Sequence, residues 1–132
     1  MQRLVGGSFR RMTYDIHLDV KFDPLTHIDV DAEAAAVQPW FNQTLTQVND
    51  SVIRLGVIEG DFHWHKHELE DEFFLVLEGT LLIDIEGADT VTLEPHQAFT
   101  VPHGVVHRTR ASERTTILMV EPAGVVPTGS ET

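Results

Sequence analysis

The sequence predicts an all-β fold, an antiparallel β-sandwich or barrel with at most one short helix. Apolar and polar residues alternate with a period of two through most of the chain, which is typical of strands with one face in water. Turn signals rich in glycine, asparagine and aspartate recur about every eight to twelve residues in the second half. Short strands at this spacing are typical of β-sandwiches and β-barrels, whereas long helices and a nucleotide-binding βαβ unit are not indicated.

The predicted elements follow one another closely along the chain. The one helix is expected at residues 31–37, where an alanine-rich run ends before Pro39. A hairpin turn at Asn49, Asp50 and Ser51 joins the second predicted strand to the third. About ten strands are expected from the alternating pattern, at residues 16–20, 44–48, 52–58, 63–67, 72–77, 81–85, 91–93, 98–101, 105–109 and 116–120.

The two ends of the chain differ in composition from the part between them. Residues 1–12 contain three arginines, no acid and no apolar run typical of a signal peptide, so we expect a flexible basic lead. Residues 123–132 are rich in glycine, serine, threonine and proline and are expected to form an extended tail. Residues 13–122 are then a single domain.

Composition excludes several classes of partner. Nine lysines and arginines against 21 acids give a formal net charge of −12. Nucleic acids and anionic membranes both require a basic surface, so neither is expected as a partner. No apolar run approaches the roughly 20 residues of a membrane span. The absence of cysteine excludes disulfides, thiolate metal ligands and a cysteine nucleophile, and the cytoplasm is the default location that we expect.

Several of the eight histidines stand at spacings that favour metal binding. His65 and His67 lie two residues apart, so that on a strand both imidazoles point to one face. Glu72 follows after a polar turn, and His107 follows a tight bend with proline and glycine. Three imidazoles and a carboxylate suit one divalent transition metal ion per chain, without distinguishing Mn, Fe, Ni, Cu or Zn. An ion that takes six ligands would keep two positions open for water or substrate.

Two segments that carry these residues resemble the two motifs of the cupin superfamily. Residues 60–79, GDFHWHKHELEDEFFLVLEG, resemble the first motif, G-x5-H-x-H-x(3,4)-E-x6-G. Residues 102–107 resemble the second, G-x5-P-x-G-x2-H-x3-N. The resemblance covers residues 44–122 and is closest to small single-domain cupins of the mannose-6-phosphate isomerase-like type. It implies a jelly-roll β-barrel around a metal ion, with the ligands His65, His67, Glu72 and His107.

The chain departs from these motifs at three places. Gly60 is one residue nearer to His65 than the first motif requires. His96 and Ala111 stand where the second motif has its first glycine and its asparagine. None of these positions is a ligand. The same resemblance implies that Glu72 also acts as a catalytic base, that the substrate is a small molecule and that the protein is a homodimer.

A shifted set of ligands competes with this one. His63 and His65 also form a pair two residues apart, and Glu70 follows His65 at the spacing at which Glu72 follows His67. The unshifted set is favoured because the shifted one requires a strand to begin inside the charged turn. In the unshifted set, His63 lies farther along the same face as a rim residue.

Substrate-binding candidates are Arg54, His63, Phe74 and Val76. Phe74 and Val76 share the parity of Glu72, so they line the cavity if Glu72 points inward. Arg54 is the candidate for holding an anionic substrate, and a surface ion pair with one of the many acids is the equal alternative.

Three functions fit these features. The first is a metal-dependent enzyme for a small molecule, of the dioxygenase, isomerase or lyase type. The second is a non-catalytic protein that binds or stores a small ligand or a metal. The third is a dimeric interaction module, because a strand-like stretch before Thr44 is suited to pair with the sheet edge of a second copy.

Overall fold

The computed structural model describes residues 14–129, which form one sheet of eight strands and one short helix. The elements in chain order are β1 (Asp15–His17), α1 (Val30–Ala35), β2 (Phe41–Val48), β3 (Ser51–Asp61), β4 (Glu72–Glu78), β5 (Leu81–Ile85), β6 (Val91–Leu93), β7 (Ala98–Val101) and β8 (His107–Pro122). The predicted all-β class is therefore confirmed. The predicted lead, residues 1–12, and the last three residues of the predicted tail lie outside the described residues.

β8 connects the parts of the sheet. Its 16 residues pair antiparallel with β3, β4 and β5. The hydrogen-bonded path runs β1-β2-β3-β8-β4-β7, with β5 and β6 branching from β8. Within residues 14–129 this path does not close into a barrel, and β1 pairs with β2 in the parallel direction. Because alternate residues of β8 are buried, this one strand supplies side chains along the whole interior.

The structure has eight strands where about ten were predicted, and the main differences lie beside β8. The predicted strands 105–109 and 116–120 form one strand, because exposed residues 112–114 bulge outward without ending it. The predicted strand 63–67 is reduced to one bridge, between His65 and His107. Between the pair Asp61–Arg110 and this bridge, the segment after β3 has three residues and β8 has two. The extra residue interrupts the regular pairing.

The middle of β3 is buried on both faces. Leu55 and Val57 pack with Leu45 and with Ala34 of α1 on the outer face. Ile58 belongs to the inner core, together with Phe74, Val76, Leu81, Ile83, Leu93, Val101, Ala111, Ile117 and Met119. Burial on two faces explains why this part of β3 is almost continuously apolar and does not alternate.

α1 covers the outer face of β3 and is capped at both ends. It begins one residue earlier and ends two residues earlier than predicted. The Asp29 side chain accepts a hydrogen bond from the Ala32 N–H at 3.1 Å, which satisfies a donor of the first turn. Arg114 donates to the carbonyl groups of Ala34 and Val37 at the end of the helix, where backbone carbonyls run out of helical partners. The described residues contain no helix that is long and apolar enough to cross a membrane.

The turn after β4 depends on Gly79, and its replacement provides a test of the packing against β8. Gly79 has a φ of +91°, and a Cβ atom there would lie 2.9 Å from the Cα atom of Thr115. We expect Gly79→Ala to lower the free energy of unfolding by about 2–4 kcal/mol, since backbone strain and a steric clash combine. Urea denaturation followed by circular dichroism measures the loss.

Gly87→Ala is the matched control. Gly87 also has a positive φ, +79°, but a Cβ atom there would meet nothing within 4 Å. Backbone strain alone then costs about 1 kcal/mol. Equal losses in the two variants would show that the contact with Thr115 does not restrict this turn.

Candidate metal centre

The candidate site begins with a backbone pair between the segment after β3 and the start of β8. The His65 N–H donates to the His107 carbonyl at 3.0 Å, and the His107 N–H donates back at 2.9 Å. Two residues that exchange both bonds lie directly opposite, with their side chains on one face. The two imidazole centroids are accordingly 4.5 Å apart, and the His67 ring lies 5.1 Å from that of His65.

Glu72 reaches the same interior from β4. It is the first residue of that strand, and the alternating burial of β4 turns Glu72 and Phe74 inward. The Gly104 N–H donates to the His67 carbonyl at 2.8 Å, which ties the bend before β8 to the histidine segment. One ligand atom from each of His65, His67, Glu72 and His107 lies within 4.8 Å of the other three, and all four residues are buried. The structure thus brings together the unshifted set; His63 and Glu70 of the shifted set are not part of this cluster.

Two backbone carbonyls fix the tautomers of two of the three histidines in the cluster. The His65 Nδ1 lies 3.0 Å from the carbonyl of His63, and the His107 Nδ1 lies 2.9 Å from that of Val105. A carbonyl oxygen only accepts, so each Nδ1 carries the proton and donates it. In the neutral imidazoles Nε2 then keeps its lone pair. This is the arrangement by which proteins orient metal-binding histidines.

Three of the candidate ligand atoms are buried without a hydrogen bond within the described part of the chain, namely His67 Nε2, Glu72 Oε1 and His107 Nε2. The two Nε2 atoms lie 3.2 Å and 3.4 Å from Glu72 Oε1. Metal–ligand bonds of about 2.1 Å place neighbouring ligand atoms roughly 3.0–3.4 Å apart. Because buried polar atoms nearly always have partners, this set fits a divalent ion with nitrogen and oxygen ligands.

The charge states of the cluster also fit metal binding. Burial alone would raise the pKa of Glu72, but the imidazoles of His107 and His67 outweigh it and lower this pKa to about 2. Burial lowers the pKa of His65 to about 4. Burial would also lower the pKa of His67, but the Glu72 carboxylate outweighs it and raises this pKa. At neutral pH Glu72 is therefore ionised and His65 is neutral, as ligands must be, whereas His67 gives up a proton to an incoming ion.

A cavity of about 40 Å³ lies beside the cluster, and His65 and Glu72 form part of its wall. The rest of the wall is mostly apolar and aromatic, with Phe62, Phe74 and Ile117 among its residues. A molecule in the cavity therefore contacts two of the candidate ligands directly. Of the two residues predicted to line it, Phe74 does so, whereas Val76 packs in the inner core and is not part of the wall.

His63 joins the two ends of the described chain beside the cavity. Its Nε2–H donates to the Thr128 carbonyl at 2.8 Å, since a carbonyl only accepts, and its Nδ1 accepts from the Tyr14 hydroxyl at 3.2 Å. Val125 is buried, and Pro127 forms part of the cavity wall. The predicted tail, residues 123–132, thus packs on the sheet as far as it is described.

The Arg54 side chain is only 2% exposed, so it faces inward and does not form an ion pair at the surface. Its Nε donates to Glu121 at 2.5 Å, and its Nη1 donates to the Thr44 hydroxyl at 2.7 Å. The chain itself therefore supplies a carboxylate for this guanidinium, and Arg54 is not part of the cavity wall. Its binding of an anionic substrate stays a prediction.

Glu121 is a buried acid beside the cluster that sequence reasoning missed. Phe73 pairs with Val120, and this register places Glu121 opposite Glu72 across β4 and β8. Burial and the neighbouring Glu72 carboxylate raise the pKa of Glu121, and the ion pair with Arg54 opposes this rise. The signal was present in the sequence, because Glu121 continues the inward parity of Ile117 and Met119.

The sequence matches the Cupin domain family over residues 52–121, just over half of its length, and the chain belongs to this family. The resemblance carried by the two motifs is therefore confirmed. The chain is 45% identical over 80 residues to the uncharacterized protein YdbB of Bacillus subtilis (strain 168), which covers 61% of this chain and 71% of that protein.

Solved structures agree with this fold. A cupin-2 domain containing protein from Shewanella frigidimarina NCIMB 400 is 33% identical with a TM-score of 0.68, over 72% of this chain and 93% of that chain. A mannose-6-phosphate isomerase-like protein from Ralstonia eutropha JMP134 is 22% identical with a TM-score of 0.63, over 74% of this chain and 97% of that chain. The second likeness shows the fold alone.

The pair of Arg54 and Glu121 allows a test of charge burial next to the cluster. Glu121→Leu leaves the Arg54 guanidinium without a counter-ion, and a guanidinium cannot lose its proton. We therefore expect the free energy of unfolding to fall by about 3–5 kcal/mol. The double variant Arg54→Met, Glu121→Leu removes both charges and should recover most of that loss. Urea denaturation of the two single variants and the double variant gives the coupling energy.

The ion pair of Lys21 and Glu33 serves as the control, because the Lys21 side chain is 49% exposed. The same cycle with Lys21→Met and Glu33→Leu should give a coupling of less than about 1 kcal/mol. If the losses of the Arg54 and Glu121 variants simply add, the two residues do not stabilise each other.

Proposed function

We propose that this protein is a cupin that binds one divalent transition metal ion per chain at His65, His67, Glu72 and His107, and that it carries out a metal-dependent reaction on a small molecule. One observation carries the proposal: three buried ligand atoms that make no hydrogen bond within residues 14–129 meet beside a cavity whose wall includes His65 and Glu72. Four protein ligands leave positions open on an ion that takes five or six, and the cavity is the side from which a further ligand enters. The reaction types that we consider are dioxygenase, isomerase and lyase.

The residues of the chain have distinct tasks in this proposal. A bound divalent ion supplies Lewis acidity, which polarises an oxygen and lowers the pKa of a water molecule. The carbonyls of His63 and Val105 hold two imidazoles in the orientation that ligation requires. The apolar wall limits the access of water. Glu72 is the only carboxylate in the cavity wall among the described residues, so its position makes it our candidate for the catalytic base.

A second function, binding or storage without turnover, is supported by the same wall. Among the described residues that form it, Glu72 is the only carboxylate and His65 the only imidazole. Acid–base catalysis needs such groups, and both belong to the candidate ligand set. Relaxation of water protons by bound Mn²⁺ separates open from closed sites: a catalytic site keeps exchangeable water on the ion, whereas a closed structural site does not.

Two further predictions from the sequence belong to this proposal. The homodimer is supported by β1, which is an edge strand of the sheet in the described part of the chain. On its other side, β1 pairs with β2 of its own chain. The cytoplasmic location stays a prediction from the sequence.

Metal content is the direct test of the ligand set. Elemental analysis of protein purified without added metal should give close to one equivalent of Mn, Fe, Ni, Cu or Zn in the wild type. The variant His65→Ala, His107→Ala should hold less than about a tenth of an equivalent, because half of the ligand atoms are gone. An equal metal content in the two proteins would refute the assignment.

Two control variants make this result specific. His96→Ala, His103→Ala removes two exposed histidines and should keep the wild-type metal content. His63→Ala, Glu70→Gln tests the shifted register and should also keep it, since neither residue belongs to the cluster. Loss of metal in the second control, with retention in His67→Ala, would establish the shifted set instead.

Affinity for the metal should rise with pH near neutrality. The pKa of His67 is raised in the metal-free protein, so an incoming ion displaces its proton. The pKa of His65 is about 4, so His65 does not contribute to the pH dependence of the affinity above pH 6. We expect the Kd for Zn²⁺ to fall by up to about tenfold between pH 6 and pH 7, one power of ten for each displaced proton. Calorimetric titration with a competing chelator measures this slope.

The Glu121→Gln variant is the control for this slope. The carboxyl of Glu121 lies opposite Glu72 and is not a ligand, although it also helps to raise the pKa of His67. Because Glu72 contributes more to that raised pKa, the slope should persist without Glu121. A flat profile in the wild type would contradict the assignment of His67 as a ligand that must lose a proton.

A further inference from the structure

Two polar atoms at the cavity are left without partners, and neither belongs to the metal cluster. Trp40 and Asn42 both line the cavity. The Trp40 Nε1–H and the Asn42 Oδ1 are buried and make no hydrogen bond within the described part of the chain. Buried polar atoms of this kind nearly always have a partner. One donor and one acceptor at the same cavity therefore indicate a ligand that accepts one hydrogen bond and donates another.

The wall of the cavity carries no lysine or arginine within residues 14–129. Arg54 lies on the same face of β3 as Gly56 and Ile58, but its guanidinium is engaged by Glu121, Thr44 and the Val125 carbonyl. A buried anion requires a cationic partner. Apart from a metal ion at the cluster, the side chains around the cavity therefore offer an anion no partner and favour an uncharged ligand.

The size of the cavity restricts the ligand further. A volume of about 40 Å³ holds a few water molecules, or a group of a few non-hydrogen atoms. Gly56, directly opposite Asn42 in the β2–β3 register, keeps this space open. A Cβ atom at Gly56 would lie 2.9 Å from Ile117 Cγ1 and 3.0 Å from Met119 Cε.

We propose that Trp40 and Asn42 determine specificity for a small uncharged organic molecule with a hydrocarbon body and one hydroxyl or amide group. This assignment rests on the proposed function, because the molecule would be the one presented to the metal. The Trp40 Nε1–H donates to the oxygen of that group, and the Asn42 side-chain oxygen accepts its hydrogen. The hydrocarbon body packs on Phe74, Ile117 and Met119, in the space that Gly56 leaves.

Three probes of equal length and different charge test the ligand class. Butan-1-ol, butyrate and n-butylammonium are titrated by saturation-transfer NMR at pH 7 into the metal-free protein, where butyrate has no ion to coordinate. We expect a Kd on the order of 1 mM for butan-1-ol. Butyrate should bind at least about tenfold more weakly, because the wall within residues 14–129 offers it no cationic side chain. n-Butylammonium should also bind more weakly, because the Glu72 carboxylate is already engaged by the imidazoles of His67 and His107.

Single substitutions test the two residues. Trp40→Phe and Asn42→Leu each remove one polar atom and keep an apolar side chain, so each should weaken butan-1-ol binding by about threefold to tenfold. Trp64→Phe is the matched control, because Trp64 is exposed, lies outside the cavity wall and should leave the Kd unchanged. Gly56→Ala, which narrows the cavity, should weaken all three probes. Circular dichroism shows that each variant is folded, and either polar variant alone is sufficient for the test.

The outcomes separate this inference from the proposed function. Butyrate binding as tightly as butan-1-ol, no binding of butan-1-ol below about 50 mM, or equal affinities in the Trp40, Asn42 and Trp64 variants would each overturn it. The variants are measured again after loading with Zn²⁺. The probe pattern is the preference for butan-1-ol over the two ions and its weaker binding by the Trp40 and Asn42 variants. Uptake of zinc without this pattern refutes the inference and leaves the metal site intact. The probe pattern without uptake of zinc supports the ligand class and refutes the metal-dependent function.

Discussion

The pairing of the segment after β3 with the start of β8 is the contact on which the candidate site depends. It fixes the Cα atoms of His65 and His107 opposite each other before any metal ion is considered. β8 then continues along β4, where it places Glu121 beside Glu72. One strand therefore sets the positions of groups that lie far apart in the sequence.

The position of Glu121 beside Glu72 is electrostatically unfavourable, because two buried carboxyl groups face each other. Like charges on opposite residues of a strand pair repel, and burial strengthens the repulsion. Arg54 compensates on one side, through its ion pair with Glu121. On the other side, Glu72 faces the imidazoles of His67 and His107. A divalent ion at the cluster would complete this balance, which gives a physical reason for so many ionisable groups inside a chain of this size.

The inner face of the sheet thus has two regions with different chemistry. Towards Leu81, Ile83 and Leu93 it is a closed apolar core. Towards His65 and Glu72 it opens into a cavity that residues from both ends of the described chain, Tyr14 and Pro127, help to enclose. His63 is hydrogen-bonded both to Tyr14 and to Thr128, the residue after Pro127, so the segments outside the matched cupin region contribute to the shape of the cavity.

Local patterns were sufficient to predict most of the strands, the hairpin at Asn49 and the helix before Pro39, because each depends on residues close together in the sequence. Spacing on a strand placed His65 and His67 on one face, whereas the set of four candidate ligands followed from the resemblance of two segments to the cupin motifs. The merging of two predicted strands into β8 was not predictable, because a bulge can be distinguished from a turn only by the pairing on either side.

The sequence by itself determined the all-β class, the cupin family and the set of residues available to hold a metal ion. The tertiary structure decided what surrounds them. Arg54 is paired with Glu121, and Val76 lies in the core outside the cavity wall. Trp40 and Asn42 each keep a buried polar atom that has no hydrogen-bond partner within residues 14–129. The physical reason is the same in each case. Hydrogen bonds, ion pairs and cavities depend on contacts between strands that are distant in the sequence, and no periodicity within one strand records them.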